Sequence, residues 1–137
     1  MEDRYLFKAK RVDSGEWVIG FYTYIYKKYY IYTGQLIRGG LYDIAERFEV
    51  DPSTICRCAG FKDKNGNLIW EKDIARDKYG NFYAVFWQNN YYQLSWICVK
   101  SDVFSIGIKW NLWGLNNSEL EVIGNIFDNK ELLESEG

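Results

Sequence analysis

Alternation with a period of two, broken by Gly- and Asn-rich turns, runs through most of this chain. It constrains the fold more than any other feature. Trp17, Ile19, Phe21, Thr23 and Ile25 alternate with Glu16, Val18, Gly20, Tyr22, Tyr24 and Tyr26. Residues two apart share one face of a strand, so this is a strand pattern rather than a helical one. Tyr92, Leu94, Trp96 and Cys98 alternate in the same way, as do Phe104, Ile106, Ile108 and Trp110. Further strands are expected at 4–11, with Tyr5, Phe7 and Ala9 on one face, and at Tyr29–Thr33, Thr54–Ala59, Leu68–Trp70 and Asp73–Arg76. Phe82–Trp87 is apolar on both faces, and Leu120, Val122, Gly124 and Ile126 mark the last strand. Turn chemistry separates them at Val12–Gly15, Asp51–Thr54, Lys62–Gly66, Lys78–Asn81 and Gln88–Asn90, with Asn65-Gly66 the strongest hairpin signal. The pattern predicts a mainly β, barrel-like single domain over 1–137, built from eight to ten short antiparallel strands.

One or two short helices complete this reading. Leu41, Ile44, Ala45 and Phe48 fit a helical stripe, while Glu46 interrupts the strand alternative. A helical turn within 34–50 running into a strand at Phe48–Val50 is therefore expected. Asp128 with Glu131 three residues on resembles a capping box that opens a short helix through Leu132 and Leu133. No internal repeat, low-complexity run or domain linker is visible.

Composition narrows the chemistry. The chain has 12 Tyr, 8 Phe and 6 Trp, one proline, Pro52, and no His. Without His there is no Ser-His-Asp triad, no Cys-His dyad and no His-ligated metal. No apolar run approaches the roughly 20 residues of a membrane-spanning helix, and Met1-Glu2-Asp3-Arg4 is too polar and acidic for a signal peptide. A cytoplasmic protein without membrane contact is expected. Residues 1–118 carry a small excess of Lys and Arg, whereas 119–137 carry Lys130 against Glu119, Glu121, Asp128, Glu131, Glu134 and Glu136. Such a weakly basic body lacks the charge of a duplex-DNA binder but leaves room for a local basic patch. Cys56, Cys58 and Cys98 fall short of a zinc ligand set. They read as buried thiols in a reducing compartment.

Two constellations are worth weighing for function. Asp63, Asn65 and Asn67 have the spacing of an oxygen-ligand loop, but the EF-hand positions that need Gly and Glu hold Leu68 and Ile74. A hairpin loop is the better reading, and no metal or cofactor is expected. Glu71 and Asp73 would share one face of a strand, yet nothing in the pattern separates their acidities as acid–base catalysis requires. No catalytic residue is assigned. The aromatic surplus points elsewhere. Tyr22, Tyr24, Tyr26, Tyr30 and Tyr32 exceed what a small core can use, and Lys27 and Lys28 lie among them. Tyr pairs a large apolar body with a polar tip, which suits interfaces. The face opposite Trp17 and Ile19 is therefore the expected contact surface. Homo-oligomerisation is the first expectation. The alternative is a single-stranded nucleic-acid module, which uses the same mixture of rings and cations, with Lys8, Lys10 and Arg11 on the neighbouring strand. A host or phage protein is a further possible partner.

Three blocks in order also carry a resemblance. They are Phe7–Arg11 with Ser14–Gly20, Val50–Ile55 with Ala59–Gly66, and Glu121–Asn129 followed by Glu131-Leu132-Leu133. The chain resembles the YopX family, small proteins encoded by phages and prophages. The resemblance implies a β-rich, phage-derived protein of the bacterial cytoplasm, with no activity or cofactor to carry over. Its signature positions here are Trp17, Gly20, Asp51, Pro52, Gly60, Asp63, Asn65, Gly66, Asp73, Gly124 and Asn125, which look like turn formers and strand residues. Where the family has Glu-Gly-Asp, this chain has Glu71-Lys72-Asp73. Lys72 there argues against a backbone that needs positive φ.

Overall fold

The structure is a computed structural model that describes residues 5–88, 93–111 and 119–133. Arg4, Asn89, Asn90 and Tyr92, which were assigned to a strand or turn above, lie outside these residues. The described residues are mainly β, as expected, and pack as two compact units, 1–58 and 59–137.

In the first unit, β1 (Phe7–Lys10), β2 (Trp17–Ile25), β3 (Lys28–Gly39) and β4 (Tyr42–Glu49) form an antiparallel sheet in the order β4-β3-β2-β1. The start of β5 (Cys56–Lys62) pairs with β1 through Cys56 and Arg57. Direct pairing places Trp17, Ile19, Phe21 and Thr23 of β2 on one face with Lys10 and Lys8 of β1 and Tyr32 and Tyr30 of β3. Val18, Gly20, Tyr22 and Tyr24 share the other face with Ala9, Phe7, Ile31 and Tyr29. The second face holds the core, in which Ala9, Val18, Ile31 and Val50 are buried and Phe7, Tyr29, Phe48 and Ile55 pack around them. Ile19 and Phe21 stay exposed. This corrects the assignment of the Trp17–Ile19 face to the core. Alternation fixes which residues go together but not which set points inward. Gly20 is needed for close approach, because a Cβ there would meet the backbone of Tyr32, with its carbonyl carbon at 2.8 Å.

Residues 34–50 carry no helical turn. β3 runs on to Gly39, Gly40 turns the chain at φ 62°, and β4 returns with Leu36 opposite Ala45 and Gly39 opposite Tyr42. The cross-strand ladder satisfies this backbone. Leu41 and Ile44, which suggested a helical stripe, are exposed and bury nothing. Glu46 breaks the apolar alternation because its carboxylate accepts a 2.8 Å hydrogen bond from the Thr33 hydroxyl. The first strand begins at Phe7, after Tyr5. Asp51 caps the 3-10 turn Pro52–Thr54, accepting from Ser53 N, and the Thr54 hydroxyl oxygen accepts from Lys10 N.

In the second unit, the rest of β5 is followed by its neighbour β6 (Leu68–Trp70). β7 (Asp73–Arg76), β8 (Phe82–Gln88), β9 (Gln93–Lys100), β10 (Lys109–Asn111) and β11 (Glu121–Asn125) form an antiparallel sheet in the order β10-β9-β8-β7-β11. Its core holds Ile69, Ala75, Tyr83, Val85, Leu94, Trp96, Cys98 and Leu120. The expected strand through Phe104, Ile106 and Ile108 is a loop. Ser101 Oγ accepts from Val103 N and Phe104 N, and Gly107 takes φ 94°. These local bonds offer the backbone an alternative to a ladder, so pairing resumes only at Lys109. The closing helix is one 3-10 turn, Lys130–Leu133. It starts after Asp128, whose carboxylate accepts from the Asn125 amide. The sheets remain open, so the barrel-like expectation is not met. In the first unit the closing contact is an isolated Arg11–Val50 bridge.

Candidate functional site

The outward face of the first unit gathers the basic and aromatic residues of β1 to β4. Lys8 and Lys10 place their ammonium groups 4.6 and 5.4 Å from the Trp17 ring. Two strands away, the Arg47 guanidinium lies 4.0 Å over Tyr30 and donates to the Tyr32 hydroxyl at 3.2 Å. Ile19 and Phe21 lie between these two stacks. Lys28 and Glu49 share the face, with a 3.6 Å ion pair. Each ring presents its negative π-face to a cation, which holds long basic side chains on an apolar surface.

At one end of this face a cleft of about 460 Å³ is lined by Lys10, Arg11, Lys27, Lys28, Glu49 and Asp51, among others. Arg11 forks onto Asp13 with bonds of 2.9 and 2.7 Å and lies 3.9 Å over Phe48. That hydrogen-bonded pair raises the pKa of the guanidinium and lowers that of the carboxyl. Tyr26 and Lys27 form the two-residue turn between β2 and β3, with φ 50° and 67°. Both central residues of this turn are left-handed, a geometry that Asn-Gly adopts easily and Tyr-Lys does not. Tyr26 is 94% exposed.

The seven residues expected to form one contact surface are therefore divided. Tyr30, Tyr32 and Lys28 lie on the outward face, Tyr22 and Tyr24 lie on the opposite face, and Tyr26 and Lys27 form the turn. Tyr22 stacks on Tyr29 at 6.2 Å, and Tyr24 tilts against Tyr29 at 4.8 Å, so those two rings extend the core edge. The pattern reading missed Arg47, which covers Tyr30. The helical assignment of 34–50 hid the register that sets Arg47 opposite Tyr32. A second apolar region sits on the β3–β4 hairpin, where Leu36, Ile37, Leu41, Tyr42 and Ile44 are exposed.

The carboxylates of the second unit are structural. Asp63 Oδ1 accepts from Asn65 N and Asn67 N, and Oδ2 from Val122 N, all at 2.9 Å. Asp77 repeats the arrangement, accepting from Tyr79 N and Asn81 N at 2.9 Å and from the Asn81 amide and the Tyr83 hydroxyl. Asp63-Lys64-Asn65-Gly66-Asn67 and Asp77-Lys78-Tyr79-Gly80-Asn81 are thus the same loop built twice, with Gly66 and Gly80 at φ 82° and 85°. Only five residues carry this repeat, too few to stand out in the sequence. Burial opposes ionisation of both Asp groups, but the hydrogen bonds to the charged form outweigh it and hold each carboxyl below its usual range.

Glu71 and Asp73 do not share a strand face. Glu71-Lys72 is the turn between β6 and β7, and Lys72 takes φ 70°. The position does require positive φ, despite its lysine. Asp73 is buried, with Oδ2 accepting from Trp70 N at 2.8 Å. Cys56, Cys58 and Cys98 are buried free thiols. Burial pushes the Cys98 thiol up, away from a reactive thiolate. Among the described residues no His, Cys, Asp or Glu cluster could hold a metal, and no helix is long and apolar enough to cross a membrane.

The remaining signature residues set the backbone. Gly60 takes φ 81° inside β5, and Asn65 and Gly66 turn the first loop. The Asn125 side-chain Oδ1 accepts from Phe127 N and Asp128 N, while a Cβ on Gly124 would collide with the Asn129 side chain. Trp17 differs, since it lies on the outward face beneath two lysines. A comparison with curated proteins finds no match. The family model described as YopX protein matches residues 11–134, which takes in the β2 to β4 sheet, both Asp-Lys-x-Gly-Asn loops and the closing turn, and the chain therefore belongs to the YopX family.

Proposed function

We propose that this protein is a phage or prophage accessory protein of the bacterial cytoplasm that acts by binding, not catalysis, and that it assembles with copies of itself. The observation that carries this reading is the β3–β4 hairpin. It exposes Leu36, Ile37, Leu41, Tyr42 and Ile44, and β4 is the edge strand of its sheet. An exposed apolar edge is a template for pairing with another chain. Two copies of β4 placed antiparallel about Ala45 would set Asp43 against Arg47 and Tyr42 against Phe48, twice over by symmetry. The hydrogen-bonded carboxylates of Asp63, Asp73 and Asp77 support a structural role for the acidic residues. Sedimentation velocity across a wide concentration range tests the reading. Assembly should be lost on Leu41→Lys with Ile44→Lys, and a strict monomer at the highest concentration would refute it.

A further inference from the structure

We infer that the outward face of β1–β2–β3, with the basic cleft at its end, is a binding site for single-stranded nucleic acid. The inference does not rest on self-association. Two separate features converge on it. One is the pairing of flat rings with cations on a single face: Trp17 beneath Lys8 and Lys10, and Tyr30 and Tyr32 beside Arg47. Bases stack on aromatic rings whatever their identity, while cations track the phosphates. The other is the cleft, where Lys10, Arg11, Lys27 and Lys28 outnumber Glu49 and Asp51. Lys10 belongs to both features, and Lys28 of the cleft lies on the same outward face, so the phosphate path and the stacking surface adjoin.

Charge complementarity selects this occupant. Among the described strand residues, Lys8, Lys10, Lys28, Arg38 and Arg47 share the face with Asp43 and Glu49, so cations outnumber carboxylates. A base arriving at Trp17 replaces a lysine on the ring, and that lysine moves onto a flanking phosphate. The left-handed Tyr26-Lys27 turn holds Tyr26 fully out, next in sequence to Lys27 of the cleft, a position for one further stack. An extended strand fits an open sheet face. Duplex DNA, whose bases are already stacked, could use only the cations.

Fluorescence anisotropy of the full chain with labelled dT and rU oligonucleotides of about a dozen nucleotides, within the usual site sizes, tests this. Binding to either at low salt, weaker for a duplex and weakening with added salt, is the expected result. Lys8→Glu with Lys10→Glu should reduce affinity about tenfold or more and flatten the salt dependence by roughly one unit of slope per lost phosphate contact. Trp17→Ala should weaken binding by about tenfold and leave the salt slope unchanged. Lys64→Glu with Lys78→Glu, the same charge change in the second unit, should leave affinity within about twofold if the site is local. Lys8→Gln with Lys10→Gln, checked by thermal melting, covers the case in which charge reversal unfolds the chain. No binding at low salt, a preference for duplex, or an equal loss from the Lys64 and Lys78 variant would each overturn the inference.

Discussion

The two units spend their aromatic residues differently. In the second unit the core is built on buried rings. Tyr83 meets Trp96 edge-on at 6.5 Å and Trp110 at 5.5 Å, and Trp96 is fully buried. In the first unit the buried core is small and aliphatic, and the rings lie at its edge, on the outward face or in the turn. High aromatic content therefore measures core in one region and surface in the other. The difference predicts that equal truncations have unequal costs. Trp96→Ala should destabilise by about 3–5 kcal/mol, the range for deleting a buried large ring. Trp17→Ala should cost less, about 1–2 kcal/mol, because the ring is only half-buried and its lysine contacts lie at the surface. Urea unfolding measures both, and similar losses would erase the distinction.

The loops extend the comparison to polar groups. Asp63→Ala would leave the N–H groups of Asn65, Asn67 and Val122 without their acceptor, at a cost of about 2–3 kcal/mol. Asp77→Ala should follow it, being the same loop with the Tyr83 hydroxyl added. Asp13, exposed and held mainly by Arg11, should matter far less. The pH dependence has a definite sign. The Asp63 and Asp77 carboxyls are lowered from an ordinary value of 3.8, so between the folded and unfolded values the unfolded chain binds more protons. Their stabilisation is complete above the unfolded value and is lost as pH falls through the folded ones. Asp63→Asn should flatten that acid limb, as followed by circular dichroism during acid titration. An unchanged limb would show that these bonds do not supply the shift.

Strand positions were readable because period-two alternation is local. Leu68–Trp70 and Asp73–Arg76 have the expected limits. What alternation could not supply was the choice of inner face in β2, since both candidate sets are apolar and only the partner strands decide. It also failed where side chains compete for the backbone, as at Ser101, and where a strand buries little, as at Leu36 to Ile44. The ring–cation surface was half legible. Lys8, Lys10, Tyr30 and Tyr32 stood out by composition, but Arg47 joined them only once β4 was recognised as a strand. The signature positions read well as turn formers because Gly, Asn and Asp have few other uses there.

Left-handed turns give the smallest and cleanest contrast. Tyr26 and Lys27 in the first unit and Lys72 in the second all hold positive φ without glycine. An L side chain in that conformation costs about 1 kcal/mol relative to glycine, partly returned by glycine's greater freedom when unfolded. At Lys72 the ammonium lies 5.2 Å from the Phe127 ring, a half-buried contact worth about 0.5–1 kcal/mol. Lys72→Gly should therefore be neutral to stabilising by about 0.5 kcal/mol. Tyr26→Asn with Lys27→Gly installs the favoured turn dipeptide and should gain somewhat more, about 1 kcal/mol, since two left-handed residues are relieved and no ion pair or ring contact ties Tyr26 down. The same double variant removes a cation from the cleft and the ring next to it in sequence. It should raise the melting temperature while weakening oligonucleotide binding, whereas Lys72→Gly should leave binding alone. Opposite movement of stability and binding in one turn, against stability alone in the other, is what separates strain kept for a surface from strain that merely persists.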